Sequence, residues 1–272
     1  MSPTHKHNGL MRTRLRAVTL ATVVAGLVLT ALTWAVAESP DERRQISAAD
    51  EAAAEFRVQL DRFMAGAVSL VASRYDEDVD DYRALLTVVK TQLEAVPKID
   101  EEGTTAYGRR HSDDYGAAMR RYGFVTKPLR DLSAHLERQA IPDSAFVAAA
   151  RKLVQLDPAK LLGPGPVFSG APLLDKVVPA YRKARKRLAR QETPDGAELL
   201  AADLLTYADD VIGMSKNGAA KIDAGKPFYF KLADRQAGLH KRVVAVESIM
   251  QIEVGDEVDF LAATVTSRGP SR

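Results

Sequence analysis

Residues 56–71 read FRVQLDRFMAGAVSLV, and the spacing of the apolar side chains in this stretch decides the fold class. They recur at intervals of three and four residues, at Phe56, Leu60, Phe63, Ala67 and Val71. Because an α-helix makes one turn in about 3.6 residues, this spacing places all five on one face. The pattern predicts an amphipathic helix that begins near Ser47, where Ser47 and Asp50 resemble a capped start.

A second apolar stripe follows the acidic stretch YDEDVDDY at residues 75–82. Its members are Val79, Tyr82, Leu86, Val89, Leu93 and Val96. Pro97 ends this helix, because proline lacks the N–H that a helix interior needs. The short connection between the two stripes predicts an antiparallel helical hairpin.

Helical periodicity continues through most of the remaining chain. Shorter helices are expected at residues 111–122, 129–141 and 144–156, and longer ones at 173–188, 194–212 and 230–263. Gly123 and Pro128 are expected to interrupt the first group, and residues 213–227 to form a loop. Residues 251–260, QIEVGDEVDF, alternate apolar and polar side chains, which leaves a short strand near the C-terminus open. The prediction is an all-α domain of several helices, resembling a bundle, over residues 47–264.

The strongest internal break is GPGPVFSGAP at residues 163–172, which contains three glycines and three prolines. Such a stretch forms neither a helix nor a central strand. It is either a long surface loop or a hinge between two helical halves. We favour one domain, because the first half alone has few long helices with which to enclose a core. A polar tail is expected at residues 265–272.

Residues 17–37, AVTLATVVAGLVLTALTWAVA, form a run of 21 residues without a charge. A helix of that length is about 30 Å long, which matches the hydrocarbon thickness of a bilayer. Three arginines precede it within the basic segment 1–16, and acidic residues begin the polar linker 38–46. Basic flanks remain in the cytoplasm, so we expect a single-pass anchor in the cell membrane with an extracytoplasmic body.

The same segment also has features of a signal peptide. Ala35-Val36-Ala37 matches the small-residue pattern that precedes a cleavage site. The apolar run is longer than the roughly 7–15 residues of a typical signal peptide, which favours retention as an anchor. Cleavage after Ala37 would instead give a secreted protein, and both alternatives place the body outside the cytoplasm.

Composition excludes several classes of site. The chain contains no cysteine, which rules out disulfides, thiolate metal sites and cysteine nucleophiles. The formal charge is +2, but four of the 38 basic residues lie within residues 1–16. The other 34 basic residues nearly balance the 36 acidic ones, so the body lacks the broad positive field of a general nucleic-acid-binding protein.

Six of the ten residues at 181–190 are basic: Arg182, Lys183, Arg185, Lys186, Arg187 and Arg190. One interpretation is a patch that binds an anionic partner, which would be lipid headgroups, a polyanionic envelope polymer or nucleic acid. The other is the solvated face of an amphipathic helix, because Tyr181 and Leu188 would occupy its buried side.

His111 and Asp114 are the candidates for a catalytic pair, since side chains three residues apart can meet on a helix. No Walker loop, nucleophile elbow or metal-binding helix motif is present. The acids at residues 76–80 resemble the start of a calcium loop, but Asp81 and Thr87 stand where that loop needs glycine and glutamate. We therefore predict no metal and no cofactor.

Three consecutive aromatic residues, Phe228-Tyr229-Phe230, follow Pro227. They either fasten the start of the last helix to the core or contact a ligand or the membrane interface.

The absence of a compact catalytic motif favours binding over catalysis. We expect a membrane-anchored extracytoplasmic protein that serves as a binding, scaffold or accessory component of the cell envelope. Its expected partners are the bilayer, through residues 17–37, and an envelope protein or polyanionic polymer. The alternative is an envelope hydrolase that uses carboxylates or His111.

Overall fold

The computed structural model describes residues 39–77 and 81–266, and every regular element in these ranges is a helix. The all-α prediction is therefore confirmed for this part of the chain. The expected anchor at 17–37 and the end of the polar tail lie outside the described residues. Within residues 39–77 and 81–266, no helix combines the length and hydrophobicity needed to cross a bilayer.

The first described helix, α1, is Pro40–Glu77 and begins seven residues before the predicted start. Ser39 and Glu42 form a capping box: the Glu42 N–H donates to Ser39 Oγ at 3.2 Å, and the Ser39 N–H donates to Glu42 Oε2 at 2.6 Å. Pro40 suits the first helical position because its missing N–H would have no partner there. The residues predicted as a linker, 40–46, are thus helical.

The other α-helices in the described ranges are α2 Tyr82–Ala95, α3 Ala106–His111, α4 Asp113–His135, α5 Ile141–Val154, α6 Pro158–Leu162, α7 Val178–Leu188, α8 Glu198–Asp223 and α9 Ala233–Thr266. Two π turns, Leu136–Ala140 and Leu173–Val177, lead directly into α5 and α7. The Asp81 side chain caps α2 by accepting the Ala84 N–H at 3.0 Å. Helix α2 ends just before Pro97, as predicted.

Helix α4 was predicted to break at Gly123 and Pro128, and that prediction is wrong. Gly123 costs the helix conformational entropy but does not end it, and a Cβ at this position would meet nothing within 4 Å. Pro128 lies inside the helix and is buried, so packing outweighs the loss of one backbone hydrogen bond. The helical path then continues through the first π turn to Val154.

Three further boundaries differ from the sequence prediction. Helix α8 begins at Glu198 rather than at Pro194, after a turn in which Gly196 has a φ of 78°. The same helix runs to Asp223 through residues predicted as loop. Residues 251–260, for which a strand was left open, are helical, because Met250, Val254, Val258 and Leu261 are buried at helical spacing.

The described chain divides into two compact units, and helices α1 and α4 contribute to both. The first unit takes residues up to Arg57 and Lys98–Met119. In it, α3 packs so closely on α1 that a Cβ on Gly108 would lie 2.2 Å from the carbonyl oxygen of Gln45. Ser112 Oγ donates to Asp50 Oδ1 at 2.5 Å.

The second unit takes Val58–Pro97 and the chain from Arg120 onward, and its core is a helical bundle. A continuous group of buried side chains comes from α5, the second π turn, α7, α8 and the first part of α9. Tyr181 and Tyr207 meet edge to face in this core, with ring centroids 6.2 Å apart. The Gly- and Pro-rich segment 163–172 lies within this unit, and Phe146 before it and Leu173 after it share one core.

Candidate binding cleft

A hollow of about 240 Å³ in the second unit is lined by four carboxylates. They are Asp143 on α5, Glu192 and Asp195 in the turn before α8, and Glu253 on α9. Val246, Ile249 and Met250 supply apolar wall, and Arg138 is the only basic lining residue among those described. The hollow therefore combines an apolar wall with a strongly negative rim.

A second hollow of about 450 Å³ shares Gln139 and Glu253 with the first. It adds Asp131, His135, Asp256, Glu257 and Phe260. We call the two adjacent hollows together the acidic cleft. Seven described carboxylates line it, against one arginine.

The first π turn shapes one wall of the cleft. Every fourth residue from Asp131 to Asp143 lines it: Asp131, His135, Gln139 and Asp143. In a regular α-helix four residues advance about 400°, so this series would drift by about 40° at each step. The wider π turn at 136–140 offsets part of that drift and keeps the four side chains on one side.

The cause of the π turn is Pro142. A proline has no N–H to donate, and its ring would collide with the carbonyl group four residues earlier. The helix widens just before it, and the Ile141 N–H donates to the Leu136 carbonyl, five residues back. The second π turn stands in the same relation to Pro179, where the Val178 N–H donates to the Leu173 carbonyl.

The opposite wall is one face of α9, carrying Val246, Ile249, Met250, Glu253, Asp256, Glu257 and Phe260 at intervals of one and three. Polar contacts hold α9 against α5. Arg151 forms an ion pair with Glu247. The Gln236 side-chain amide donates to the carbonyl oxygens of Val154 and Leu156 at 2.6 and 3.1 Å.

The electrostatics of the cleft concentrate on Asp143. Burial raises the pKa of the Asp143 carboxyl, and the negative charges of Glu253, Asp195 and Glu192 raise it further, whereas His135 lowers it. Asp131 also forms an ion pair with Lys127, which lies one turn earlier in α4. A charge held next to like charges stores an unfavourable energy that a bound cation would relieve.

The predicted catalytic pair lies in the first unit, and its members have different partners. His111 ends α3 with an exposed side chain, and its ring lies 4.3 Å from that of Tyr107. Asp114 is exposed and accepts from Arg57 Nη2 at 3.0 Å. Asp113 begins α4 and is exposed. The catalytic role of His111 stays a prediction.

The predicted basic patch lies on α7 and the residues after it. Tyr181 and Leu188 are buried, as expected for an amphipathic helix. Arg185 is half-buried, with its Nε 2.7 Å from Asp209 Oδ1. The other five basic side chains, Arg182, Lys183, Lys186, Arg187 and Arg190, are exposed. Their role in binding an anionic surface stays a prediction.

Sequence reasoning missed the acidic cleft. One feature of the sequence did indicate part of it. Glu253, Asp256 and Glu257 follow Val246 and Met250 at helical spacing, so one face of this helix changes from apolar to acidic along its length. The other carboxylates lie in distant segments with no motif that links them.

In residues 39–77 and 81–266, no group of three or more His, Cys, Asp or Glu side chains is placed to hold a metal ion. No protein-family model, no curated protein and no solved structure matches this chain.

Proposed function

We propose that this chain is a membrane-anchored, extracytoplasmic binding protein whose acidic cleft takes a basic peptide segment of an envelope partner. The observation that carries the proposal is the meeting of seven carboxylates from three separate segments around a cleft with one arginine. Opposite charge across an interface raises the rate of association and fixes the orientation of the partner.

The dimensions of the cleft agree with a peptide. Its α9 wall extends from Val246 to Phe260. At a rise of 1.5 Å per residue, that wall is about 21 Å long. An extended peptide advances about 3.3 Å per residue, so about six residues would fill it. The apolar wall at Val246, Ile249 and Met250 would accept the methylene stems of lysine or arginine side chains.

The test uses the full chain in neutral detergent and a fluorescein-labelled hexalysine probe, with binding followed by fluorescence anisotropy. We expect the double variant Glu253→Gln/Asp256→Asn to weaken binding by about tenfold, as expected for two lost charge contacts. The control Asp175→Asn/Asp234→Asn removes the same charge from exposed positions outside the cleft lining. Equal weakening by both double variants, or no binding of the probe to the unaltered chain, would refute the proposal.

The membrane part of the proposal rests on residues 17–37, whose uncharged length matches a bilayer. With that segment retained, the cleft would stay near the cell surface, where basic segments of other envelope proteins are within reach. Cleavage after Ala37 would make the same binding protein a secreted one.

A hydrolase is the second candidate, and the raised pKa of Asp143 favours it. A carboxylic acid with a raised pKa can donate a proton to a leaving group, while a second carboxylate nearby, such as that of Glu253, acts as base or nucleophile. A panel of chromogenic glycosides and esters tests this candidate. Hydrolysis that Asp143→Asn abolishes and Asp175→Asn preserves would support it. Hydrolysis lost only with His111→Ala would assign the activity to the first unit instead.

A further inference from the structure

A second surface of the same unit combines exposed aromatic rings with lysines. A groove of about 600 Å³ is formed by residues 162–173 and 222–230, and Phe168 and Tyr229 lie on it. Phe168 is 87% exposed and Tyr229 is 79% exposed. We call this region, with its neighbouring lysines, the aromatic–lysine surface.

Of the three consecutive aromatic residues at 228–230, two pack against the protein and one is exposed. Phe228 packs on Gly218 of α8, where a Cβ would lie 2.6 Å from its ring. Phe230 is half-buried, and its ring meets that of Phe228 edge to face at 4.9 Å. These two contacts fasten the loop to the core, which confirms one of the two expected roles. Tyr229, which lies between these two half-buried rings, is exposed to solvent.

The segment that carries Phe168 is also held in place. The Gly170 N–H donates to Asp223 Oδ1 at 2.7 Å. A Cβ on Gly170 would lie 2.7 Å from the backbone of Ala219, so the loop and α8 are in direct contact. Phe168 is therefore displayed by an anchored loop.

The charged side chain in the described lining of the groove is Lys226, and further lysines flank the groove. Lys160, Lys221, Lys226 and Lys231 lie at or next to the segments that form it, and all four are exposed. Among the carboxylates next to these segments, Asp223 accepts from the Gly170 N–H, and Asp157 caps α6 by accepting the Ala159 N–H at 2.8 Å. Asp175 and Asp234, which follow the two segments, are exposed. No acidic residue is among the described lining of the groove.

We propose that the aromatic–lysine surface docks on a lipid bilayer that contains anionic phospholipids. Tyrosine and phenylalanine side chains insert at the boundary of headgroups and acyl chains, and lysines pair with anionic headgroups. This contact is separate from the acidic cleft and from the anchor at 17–37. It would hold the second unit close against the membrane surface.

The experiment uses the full chain with Trp34→Phe, which removes the only tryptophan, and adds one reporter, Tyr229→Trp. The protein is reconstituted into phosphatidylcholine–phosphatidylglycerol vesicles with brominated acyl chains, which quench tryptophan on contact. The matched control is Leu199→Trp in the same unit, because Leu199 is 78% exposed and is the second residue of α8. Both variants carry the same anchor, so anchoring alone cannot separate them.

We expect the Tyr229→Trp emission to be quenched about twofold more than the control emission, and quenching to fall in pure phosphatidylcholine vesicles. Adding Lys226→Gln and Lys231→Gln should reduce the quenching in the anionic vesicles. Equal quenching at the two sites, or quenching that does not depend on phosphatidylglycerol, would overturn the proposal. A blue shift of Tyr229→Trp that grows with protein concentration in lipid-free detergent would assign the surface to a second copy and would also overturn it.

Discussion

At the scale of single residues, Asp143 is a cleft side chain whose ionised form carries an electrostatic cost. Burial and three neighbouring carboxylates raise the pKa of its carboxyl group above the ordinary value of 3.8. The negative form is therefore less stable in the folded chain than in the unfolded chain. A side chain kept under such a cost at the edge of a cleft is a candidate for function.

We expect Asp143→Asn to raise the melting temperature at pH 7. Ionisation of Asp143 costs stability above its raised folded pKa, and this cost disappears as the pH falls through that value towards the ordinary 3.8. The advantage of the variant should therefore vanish in acid. Thermal unfolding followed by circular dichroism from pH 3 to 8 measures the difference, with exposed Asp175→Asn as the control. A variant that is less stable than the unaltered chain at every pH would contradict this assignment.

A second residue-scale prediction concerns Gly108, whose position leaves no room for a side chain. A Cβ there would lie 2.2 Å from the backbone oxygen of Gln45, and backbone does not yield cheaply. We expect Gly108→Ala to destabilise the first unit by about 1–3 kcal/mol. Gly123→Ala in α4 is the control, because open space surrounds Gly123 and alanine stabilises a helix by about 0.5–1 kcal/mol there. Hydrogen exchange of the α1 amides before Arg57 reports the result, and equal protection in both variants would rule out the close contact.

At the scale of elements, three prolines change the course of a helical path without ending it, whereas Pro97 follows the end of α2. Pro128 lies inside α4, and Pro142 and Pro179 each follow a π turn by two residues. Sequence reasoning treats an internal proline as a break, because it counts the lost hydrogen bond and not the packing that compensates for it. The buried side chains Val125, Leu129 and Leu132 supply that packing around Pro128.

Helix α1 begins at Pro40, seven residues before the start predicted from the sequence, and the two possible caps can be tested by mutation. Ser39 is the observed cap, whereas Ser47 was the predicted cap and lies exposed inside the helix. We expect Ser39→Ala to destabilise the helix start by about 1 kcal/mol. Ser47→Ala should be neutral or stabilising by up to about 0.5 kcal/mol, because alanine has the higher helix propensity. Hydrogen exchange of the amides at residues 41–45 measures both, and the reverse order of effects would favour a helix that begins at Ser47.

At the scale of the whole molecule, the net charge is small, but acidic and basic side chains are concentrated on different surfaces of the second unit. Within the second unit, Asp203, Asp209 and Asp210 of α8 pair with Arg242, Arg185 and Arg235. These pairs are partly exposed, so each contributes little to stability. The acidic cleft and the aromatic–lysine surface carry opposite charge in the same unit, which allows a cationic partner and an anionic membrane to bind different surfaces.

The expected position of the body outside the cytoplasm gives a prediction at this scale. Protease added to intact cells should digest the body after residue 38, because the basic segment 1–16 is expected to stay in the cytoplasm. N-terminal sequencing of the exported product then separates an anchor from a signal peptide, since cleavage would expose Glu38 as the first residue. A body that is protected in intact cells and digested only after lysis would contradict the extracytoplasmic placement.

The helical class of the described chain follows from the sequence, because a spacing of three and four is a local property that a short stretch carries by itself. The apolar spacing at 56–71 correctly predicted that Phe56, Leu60, Ala67 and Val71 are buried. It did not predict the burial of Met64. The acidic cleft needed the tertiary structure. Asp143, Asp195 and Glu253 are each more than fifty residues apart in the sequence. Nothing in the local sequence distinguishes a carboxylate that faces solvent from one that lines a cleft. Only the packing of α9 against α5, with the π turn before Pro142, decides which acids face one another.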